Sequence, residues 1–185
     1  MEAIHPRGYW LDKSATDTHM FDPVLCDAIV RSFTDMKTII DIGCGNGKYT
    51  SALNEAGYLC LGFDGSPLTP ELTNMRCDVM DFSQSVNIGK FDLVLSLEVG
   101  EHIPVEYEQI FIDNLCNHSK KSILISWAVE GQPGTGHVNC RNNDYIISEM
   151  KKRGFIFDED ISQFFRGNSY LPWFKNTLMY FEYEN

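Results

Sequence analysis

The sequence is poor in basic residues and has no long apolar run. Its 15 Lys and Arg residues face 26 Asp and Glu residues, which gives a formal net charge of −11. A surface of that sign repels nucleic acid and anionic membranes, and no basic cluster is larger than Lys151-Lys152-Arg153. No apolar stretch approaches the ~20 residues that cross a bilayer, and there is no signal-peptide pattern. We therefore expect a cytoplasmic protein with no membrane partner, and the charge disfavours nucleic acid as a substrate.

Paired cysteines, internal repeats and linkers are also missing. The six cysteines are scattered without a Cys-x-x-Cys pair, and several lie inside apolar runs. This distribution is typical of reduced core residues in an intracellular protein. A chain of 185 residues has the length of one domain. We predict a single domain over 1–185, with an N-terminal lid and helix over 1–35 and an α/β core over 36–185.

The most informative stretch that is present runs from Thr38 to Gly47, with the sequence Thr-Ile-Ile-Asp-Ile-Gly-Cys-Gly-Asn-Gly. Its β-branched residues predict a buried parallel strand. The alternate glycines permit positive φ and let a ligand lie directly on the backbone. The spacing Gly-x-Gly-x-Gly differs from the Gly-x-Gly-x-x-Gly of dinucleotide-binding proteins. Asp41, at the strand end, would repel a pyrophosphate but can receive an ammonium group.

The segment from Asp41 to Gly47 resembles the first motif of the class I S-adenosylmethionine-dependent methyltransferases, and the following elements resemble that fold through most of the chain. The resemblance implies an α/β, Rossmann-like methyltransferase fold, with a mostly parallel seven-stranded sheet, helices on both faces and an antiparallel last strand. It also implies that the methionine half of S-adenosylmethionine lies on the glycine turn. The contacts expected there come from Asp41, Gly43, Cys44, Gly45 and Gly47.

Two later acids extend the resemblance. Asp64 ends the predicted second strand, where a carboxylate can accept hydrogen bonds from both ribose hydroxyls. Asp78 ends a short third strand over 75–79 and resembles the family's adenine contact, with the amide of Val79 on the ring. Each acid could instead be an ordinary turn or cap residue. Leu97, at the end of the predicted fourth strand, completes the expected cofactor contacts.

The fourth strand leads into Glu98-Val-Gly-Glu-His-Ile-Pro104, which carries the acid–base chemistry of the chain. Glu98, Glu101 and His102 have the spacing i, i+3 and i+4, so one helical turn would place them on one side. His102 could act as an ordinary general base with a pKa near 6.5. Alternatively, the acids and His102 are helix-start residues with a structural role.

A divalent metal site is the third interpretation. Glu-x-x-Glu-His resembles a motif of the ubiquinone-biosynthesis O-methyltransferases and the small-RNA 2′-O-methyltransferases, in which a later histidine completes a metal site. His137 is such a histidine, in a glycine-rich loop after the fifth strand, predicted over 122–129. The expected ligands would suit Mn²⁺, Fe²⁺, Co²⁺ or Zn²⁺ better than Mg²⁺. They are Glu98, Glu101, His102 and His137.

The predicted function is O-methylation of a small molecule or a sugar hydroxyl, with His102, Glu101 and His137 as the catalytic residues. Neither Asn/Asp-Pro-Pro-Tyr nor Pro-Cys follows the fourth strand, which argues against methylation of adenine or glutamine amines and of cytosine C5. The alternatives are a metal-free methyltransferase acting on RNA ribose, nitrogen or a carboxylate, and a non-catalytic methyltransferase-like activator subunit. The chain could be a monomer or a homodimer.

Two aromatic segments are candidates for the walls of the acceptor pocket. Gly8-Tyr9-Trp10-Leu11 would form a lid over the cofactor or cover the sheet edge. The region 164–174, predicted as a loop, could line a substrate pocket or form an interface.

Overall fold

The computed structural model describes residues 3–13 and 19–184, which form a seven-stranded sheet with helices on both faces. The strands are β1 Thr38–Ile42, β2 Leu59–Asp64, β3 Cys77–Val79, β4 Phe91–Ser96, β5 Ser119–Ile125, β6 Phe155–Asp158 and β7 Met179–Tyr183. The helices are α1 Pro23–Ser32, α2 Lys48–Glu55, α3 Thr69–Leu72, α4 Glu108–Asn117, α5 Asn143–Lys151, α6 Glu159–Gly167 and α7 Phe174–Thr177. Two short 3₁₀ turns, Gly100–His102 and Val105–Tyr107, connect β4 to α4.

The strand order is β3-β2-β1-β4-β5-β7-β6. The first five strands in that order run parallel, and β7 is antiparallel to both β5 and β6. The predicted fold class is therefore confirmed, including the antiparallel last strand. The chain reverses its direction of travel across the sheet between β1 and β4, and ligands of open α/β sheets bind beyond the carboxyl ends of the strands at such a point.

The side chains of β1 alternate between two hydrophobic clusters, one on each face of the sheet. Ile40 and Ile42 pack on one face of the sheet with Phe111 and Trp127, whereas Ile39 packs on the other face with Leu25 of α1. Successive side chains of a strand point to opposite faces, and a strand covered on both faces is apolar on both. The core thus fixes the end of β1, and the glycine turn follows directly from it.

Helix α1 begins at Pro23, with Asp22 as its N-cap residue. Asp22 Oδ1 accepts hydrogen bonds from the amides of Val24 and Leu25, at 3.0 Å each. Its other oxygen accepts bonds from Ser169 Oγ and the Tyr170 amide. Asp22 therefore caps the helix and also ties it to the segment that precedes α7.

Several boundaries differ from the sequence-based prediction. The 164–174 region is not simply a loop, because α6 reaches Gly167 and begins with Asp158 accepting a hydrogen bond from the Ile161 amide. Strand β5 spans Ser119–Ile125 and ends four residues earlier than predicted. In the described part of the chain, the longest helices have ten residues, and none has the length and apolarity needed to cross a bilayer.

Candidate functional site

A cavity of about 940 Å³ lies at the carboxyl ends of β1, β2 and β4. Its walls come from the glycine turn, the ends of β2 and β4, the 129–137 loop, the N-terminal segment and the 172–176 region. Most of the residues singled out from the sequence line this one space: Asp41, Gly43, Cys44, Gly45, Asp64, Leu97, Glu98, His102 and His137.

The glycine turn has the backbone that its sequence predicts. Gly43, Gly45 and Gly47 have φ values of +77°, +54° and +69°. A Cβ on Gly43 would lie 2.4 Å from Val99 Cγ2, so the side chain of another residue would not fit there. Gly47 is outside the cavity lining and packs against Thr73 instead. Gly47 thus contributes to the shape of the turn, and its contact with the cofactor stays a prediction.

Two carboxylates stand at the glycine-turn end of the cavity. Asp41 is buried, and its Oδ2 accepts a hydrogen bond from Thr50 Oγ1 at 2.7 Å. Burial raises the pKa of Asp41 to about 6, although the Thr50 hydrogen bond opposes the shift. Asp64 is half-buried and accepts bonds from the amides of Ser66, at 2.9 Å, and Gly45, at 3.0 Å. These bonds fix the carboxylate at the end of β2.

The predicted adenine contact needs a correction. Asp78 and Val79 are exposed and do not line the cavity, whereas Asp81 and Phe82 do. Strand β3 is only three residues long, and the Met80 amide donates to the Asp64 carbonyl at 2.8 Å. The chain therefore crosses the end of β2 after Met80, which places the next acid at the cavity. The predicted strand end at residue 79 is confirmed, but the prediction named Asp78 rather than Asp81 as the contact.

Three residues at the other end of the cavity form a possible metal centre. One ligand atom each from Glu101, His102 and His137 lies within 4.8 Å of the other two. The Glu101 side chain is fully buried. Neither carboxylate oxygen makes a well-formed hydrogen bond with the described residues, although Glu98 and the backbone at Glu101 and Ala128 interact with the carboxyl group. Glu101 Oε1 lies 3.9 Å from His137 Nε2. Buried polar groups normally have partners, so this carboxylate is suited to receive a cation.

Glu98 does not belong to this three-residue group. Its φ is +54°, so the chain turns before Gly100–His102 rather than continuing as one helical turn. Glu98 lines the cavity, and its Oε2 accepts a hydrogen bond from Gln132 Nε2 at 2.7 Å. The predicted four-ligand set is thus placed as a group of three with a neighbouring carboxylate.

Both histidines are oriented by backbone carbonyls. His102 Nδ1 lies 3.1 Å from the Gly136 carbonyl oxygen, and His137 Nδ1 lies 3.2 Å from that of Gln132. Because a carbonyl can only accept, each contact as a hydrogen bond requires the proton on Nδ1. Nε2 of each ring is then the atom with a free lone pair. Around bound metals, the histidine nitrogen that does not ligate the metal commonly makes a hydrogen bond of this kind.

Burial sets the charges of this group. It raises the pKa of Glu101 well above its usual range, and the charge of Glu98 raises it further. Burial also lowers the pKa of His102 to about 4, with His137 adding to the effect. His102 is therefore neutral near pH 7, as a metal ligand must be, and it is a weak base.

The N-terminal segment lines the cavity with Arg7, Gly8, Tyr9 and Trp10, and its role as a lid stays a prediction. Tyr9 packs on Gly65, where an added Cβ would lie 2.6 Å from the ring, and Trp10 approaches His102 edge-on with ring centroids 6.4 Å apart. Arg7 Nη1 donates to Ser83 Oγ at 3.0 Å. Residues 1–2 and 14–18 of the predicted lid, and 185 of the predicted domain, lie outside the described residues.

Comparisons with known proteins agree with this arrangement. A family model described as a methyltransferase domain matches residues 17–125. A probable chloroplastic tocopherol O-methyltransferase of Oryza sativa subsp. japonica is 30% identical over 107 residues, which are 49% of this chain and 29% of that protein. A ubiquinone biosynthesis O-methyltransferase of Actinobacillus pleuropneumoniae serotype 5b (strain L20) is 25% identical over 114 residues, 51% of this chain and 49% of that protein. The chain thus spans less than half the length of either curated relative.

Among solved structures, the magnesium protoporphyrin IX methyltransferase of Synechocystis PCC 6803 with bound SAH aligns with a TM-score of 0.64. The alignment has 19% sequence identity and covers 86% of this chain and 82% of that one. At that identity the similarity is one of fold.

Proposed function

Because this chain belongs to the methyltransferase domain family of class I S-adenosylmethionine-dependent methyltransferases, we propose that it transfers the cofactor's methyl group to a hydroxyl oxygen with the help of a divalent metal ion. The acceptor is a small molecule or a sugar. The observation that carries the proposal is the buried, unpartnered carboxylate of Glu101 beside His102 and His137.

The cofactor would occupy the length of the cavity, with its methionine half on Gly43, Cys44 and Gly45. Asp41 would receive the ammonium group and Asp64 the ribose hydroxyls. Asp81 would accept from the exocyclic amine of adenine, with Phe82 against the ring and Leu97 as a further apolar contact. This assignment is supported by the common lining of these residues, and by the binding of ligands at strand-order reversals in open α/β sheets.

The three side chains of this group do not satisfy one another as hydrogen-bond partners, but all three can coordinate a metal ion. They are Glu101, His102 and His137. Without a cation, the buried carboxyl of Glu101 has no well-formed hydrogen bond among the described residues and faces the like charge of Glu98. The Nε2 atoms of the two histidines, with their protons on Nδ1, would each present a lone pair to the same space. A set of one carboxylate and two imidazoles favours Zn²⁺, Mn²⁺, Fe²⁺ or Co²⁺ over Mg²⁺. When bound, such an ion lowers the pKa of an acceptor hydroxyl. Glu98 stands beside the group and could hold the acceptor's proton or contact the ion.

The residues of the chain would orient the acceptor and keep water out of the site. Trp10 and the 129–137 loop close over the histidines, which keeps water from competing with the acceptor. Because the sulfonium is already activated, holding the acceptor oxygen in line with the methyl group accounts for much of the expected acceleration. The metal-free alternative would rely on His102 as general base, and the low pKa of His102 weakens that role.

Metal titration with a charge-matched pair of variants tests the proposal. Calorimetry with Mn²⁺ and Zn²⁺ on chelator-treated protein should give one site per chain, and Glu101→Gln should weaken that site at least tenfold. Glu106 is exposed in the neighbouring 3₁₀ turn, so Glu106→Gln is the control and should bind metal normally. A screen of phenols and sugars should then yield a methyl acceptor whose turnover stops in chelator and returns with metal. Full turnover by a chelated enzyme would refute metal assistance, and failure to bind S-adenosylmethionine would refute the function altogether.

A further inference from the structure

His19 lies against the glycine turn, inside the cavity proposed for the cofactor. Its Nδ1 would be only 2.5 Å from a Cβ on Gly45, and its backbone carbonyl accepts a hydrogen bond from Asn46 Nδ2 at 3.0 Å. The turn therefore holds the backbone of His19 in place. Its Nδ1 is buried and has no hydrogen-bond partner among the described residues. Because buried polar atoms rarely lack a partner, this nitrogen is expected to find one on a ligand.

Four of the five amides from Gly43 to Gly47 are already engaged within the protein. The amides of Gly43 and Cys44 both donate to the Phe63 carbonyl, at 2.8 and 3.0 Å. The Gly45 amide donates to Asp64 Oδ2 at 3.0 Å, and the Gly47 amide to the Cys44 carbonyl at 2.9 Å. A carboxylate that lies on Gly43, Cys44 or Gly45 therefore meets no free amide at those three residues, and a side chain beside the turn is the candidate donor.

Among the basic groups around the cavity, His19 is the one left to donate to such a carboxylate. Burial lowers the pKa of His19, so it would donate as a neutral ring with the proton on Nδ1. Asp41 and Asp64 suit an ammonium group and hydroxyls but repel a carboxylate. Four basic side chains are among the described lining residues: Arg7, His19, His102 and His137. The guanidinium of Arg7 is bonded to Ser83 and lies over the Tyr107 ring, 4.6 Å from its centroid. The other two histidines belong to the proposed metal centre, and their Nδ1 atoms already contact backbone carbonyls.

We propose that His19 Nδ1 binds the carboxylate of the methionine tail of S-adenosylmethionine, while Asp41 receives the ammonium group of the same tail. The inference rests on the proposed function, since it requires that the cofactor bind on the glycine turn. His19 is a binding residue in this account and takes no part in methyl transfer. It also gives the N-terminal segment a direct role in recognising the end of the cofactor farthest from adenine.

Three nucleosides that differ in their tails test the assignment by calorimetry on the full chain. S-adenosylhomocysteine carries the whole amino-acid tail, decarboxylated S-adenosylmethionine lacks only the carboxylate, and 5′-methylthioadenosine lacks the tail. Because the contact is a charge-assisted hydrogen bond, His19→Ala should weaken S-adenosylhomocysteine binding by about tenfold or more. It should change the affinity for the other two nucleosides by less than about twofold.

Two further variants make the result specific. His19→Gln keeps a donor and should recover part of the lost affinity. Lys48→Ala removes an exposed cation beside the turn, outside the cavity lining, and should leave all three affinities within about twofold. Equal loss of affinity for all three nucleosides in His19→Ala, or no loss for any, would overturn the role of His19 while the proposed function stands. If the wild-type chain itself fails to bind S-adenosylhomocysteine, both the inference and the proposed function fail.

Discussion

Replacing Glu101 by leucine should make the metal-free protein more stable and remove its response to metal. The wild-type carboxyl is fully buried with both oxygens unpartnered. Leaving such a group unsatisfied costs about 1–3 kcal/mol, and leucine has a similar size without a polar atom. We therefore expect Glu101→Leu to raise the free energy of unfolding of the chelated protein at pH 7 by about 1–3 kcal/mol.

Adding metal should make the wild type at least as stable as Glu101→Leu. An ion that binds only the folded state at 100 times its dissociation constant stabilises by about 2.7 kcal/mol. Wild-type protein should gain that amount in Mn²⁺ or Zn²⁺, whereas Glu101→Leu should gain little, so the wild type becomes the more stable of the two or its equal. Urea unfolding at pH 7, with chelator and with excess metal, measures all four free energies. Glu106→Leu on the neighbouring exposed turn is the control.

The pH dependence provides an internal check on the same variant. Burial raises the pKa of Glu101, so the folded state of the chelated protein binds a proton that the unfolded state releases. The wild-type free energy of unfolding should then fall as pH rises above the ordinary glutamate pKa, and Glu101→Leu should lack that contribution. If chelated Glu101→Leu is less stable than chelated wild type at pH 7, the carboxylate has partners in the folded protein. The case for Glu101 as a metal ligand would then be wrong.

Three other substitutions have definite expected outcomes. Burial raises the pKa of Asp41 from 3.8 to about 6, so the wild-type free energy of unfolding should fall by about 2 kcal/mol between pH 4 and 7 relative to Asp41→Asn, as measured by urea unfolding across that range; parallel pH curves would contradict it. Asp81→Asn should weaken S-adenosylhomocysteine binding several-fold in calorimetry, whereas Asp78→Asn on the exposed strand end should not; the opposite order would restore the adenine contact predicted from the sequence. Asp22→Ala removes a helix cap and the bonds to Ser169 and Tyr170, and should lower the free energy of unfolding by about 2–4 kcal/mol in urea; a loss below 0.5 kcal/mol would mean that those bonds contribute little.

The glycine-turn end of the site could be predicted from the residues next to it in the sequence. The strand Thr38–Ile42 and the positive φ angles of Gly43 and Gly45 follow from β-branched residues and alternate glycines. Asp64 was also found, because β2 ends where its apolar run ends. In each of these cases the residues that determine the conformation are neighbours in sequence.

The features that were not predicted depend on strand pairing and side-chain packing between residues that are far apart in the sequence. The choice between Asp78 and Asp81 depends on where β3 leaves the edge of the sheet, and that is set by its pairing with β2. Glu98 was expected on a helical turn from spacing alone, but Gly100 packs so closely on Trp127 that a Cβ would lie 2.2 Å from the ring. The backbone therefore turns sharply before the 3₁₀ segment. His19 carries no local signal, since its role comes from lying on a turn more than 20 residues away.

The two ends of the cavity are brought together by the topology of the sheet. Ile40 of β1 pairs with Val94 of β4, so the glycine turn and the Glu101 segment leave adjacent strands at the same edge. In the proposed function, the glycine turn binds the cofactor tail and the Glu101 segment binds the cation. The hydrogen bonds from the amides of Val138 and Asn139 to the Glu101 carbonyl, each 2.9 Å, then hold the loop that carries His137 against the second segment. A methyl donor fixed on the first strand would thus face an acceptor fixed on the second, because parallel neighbours in a sheet end side by side.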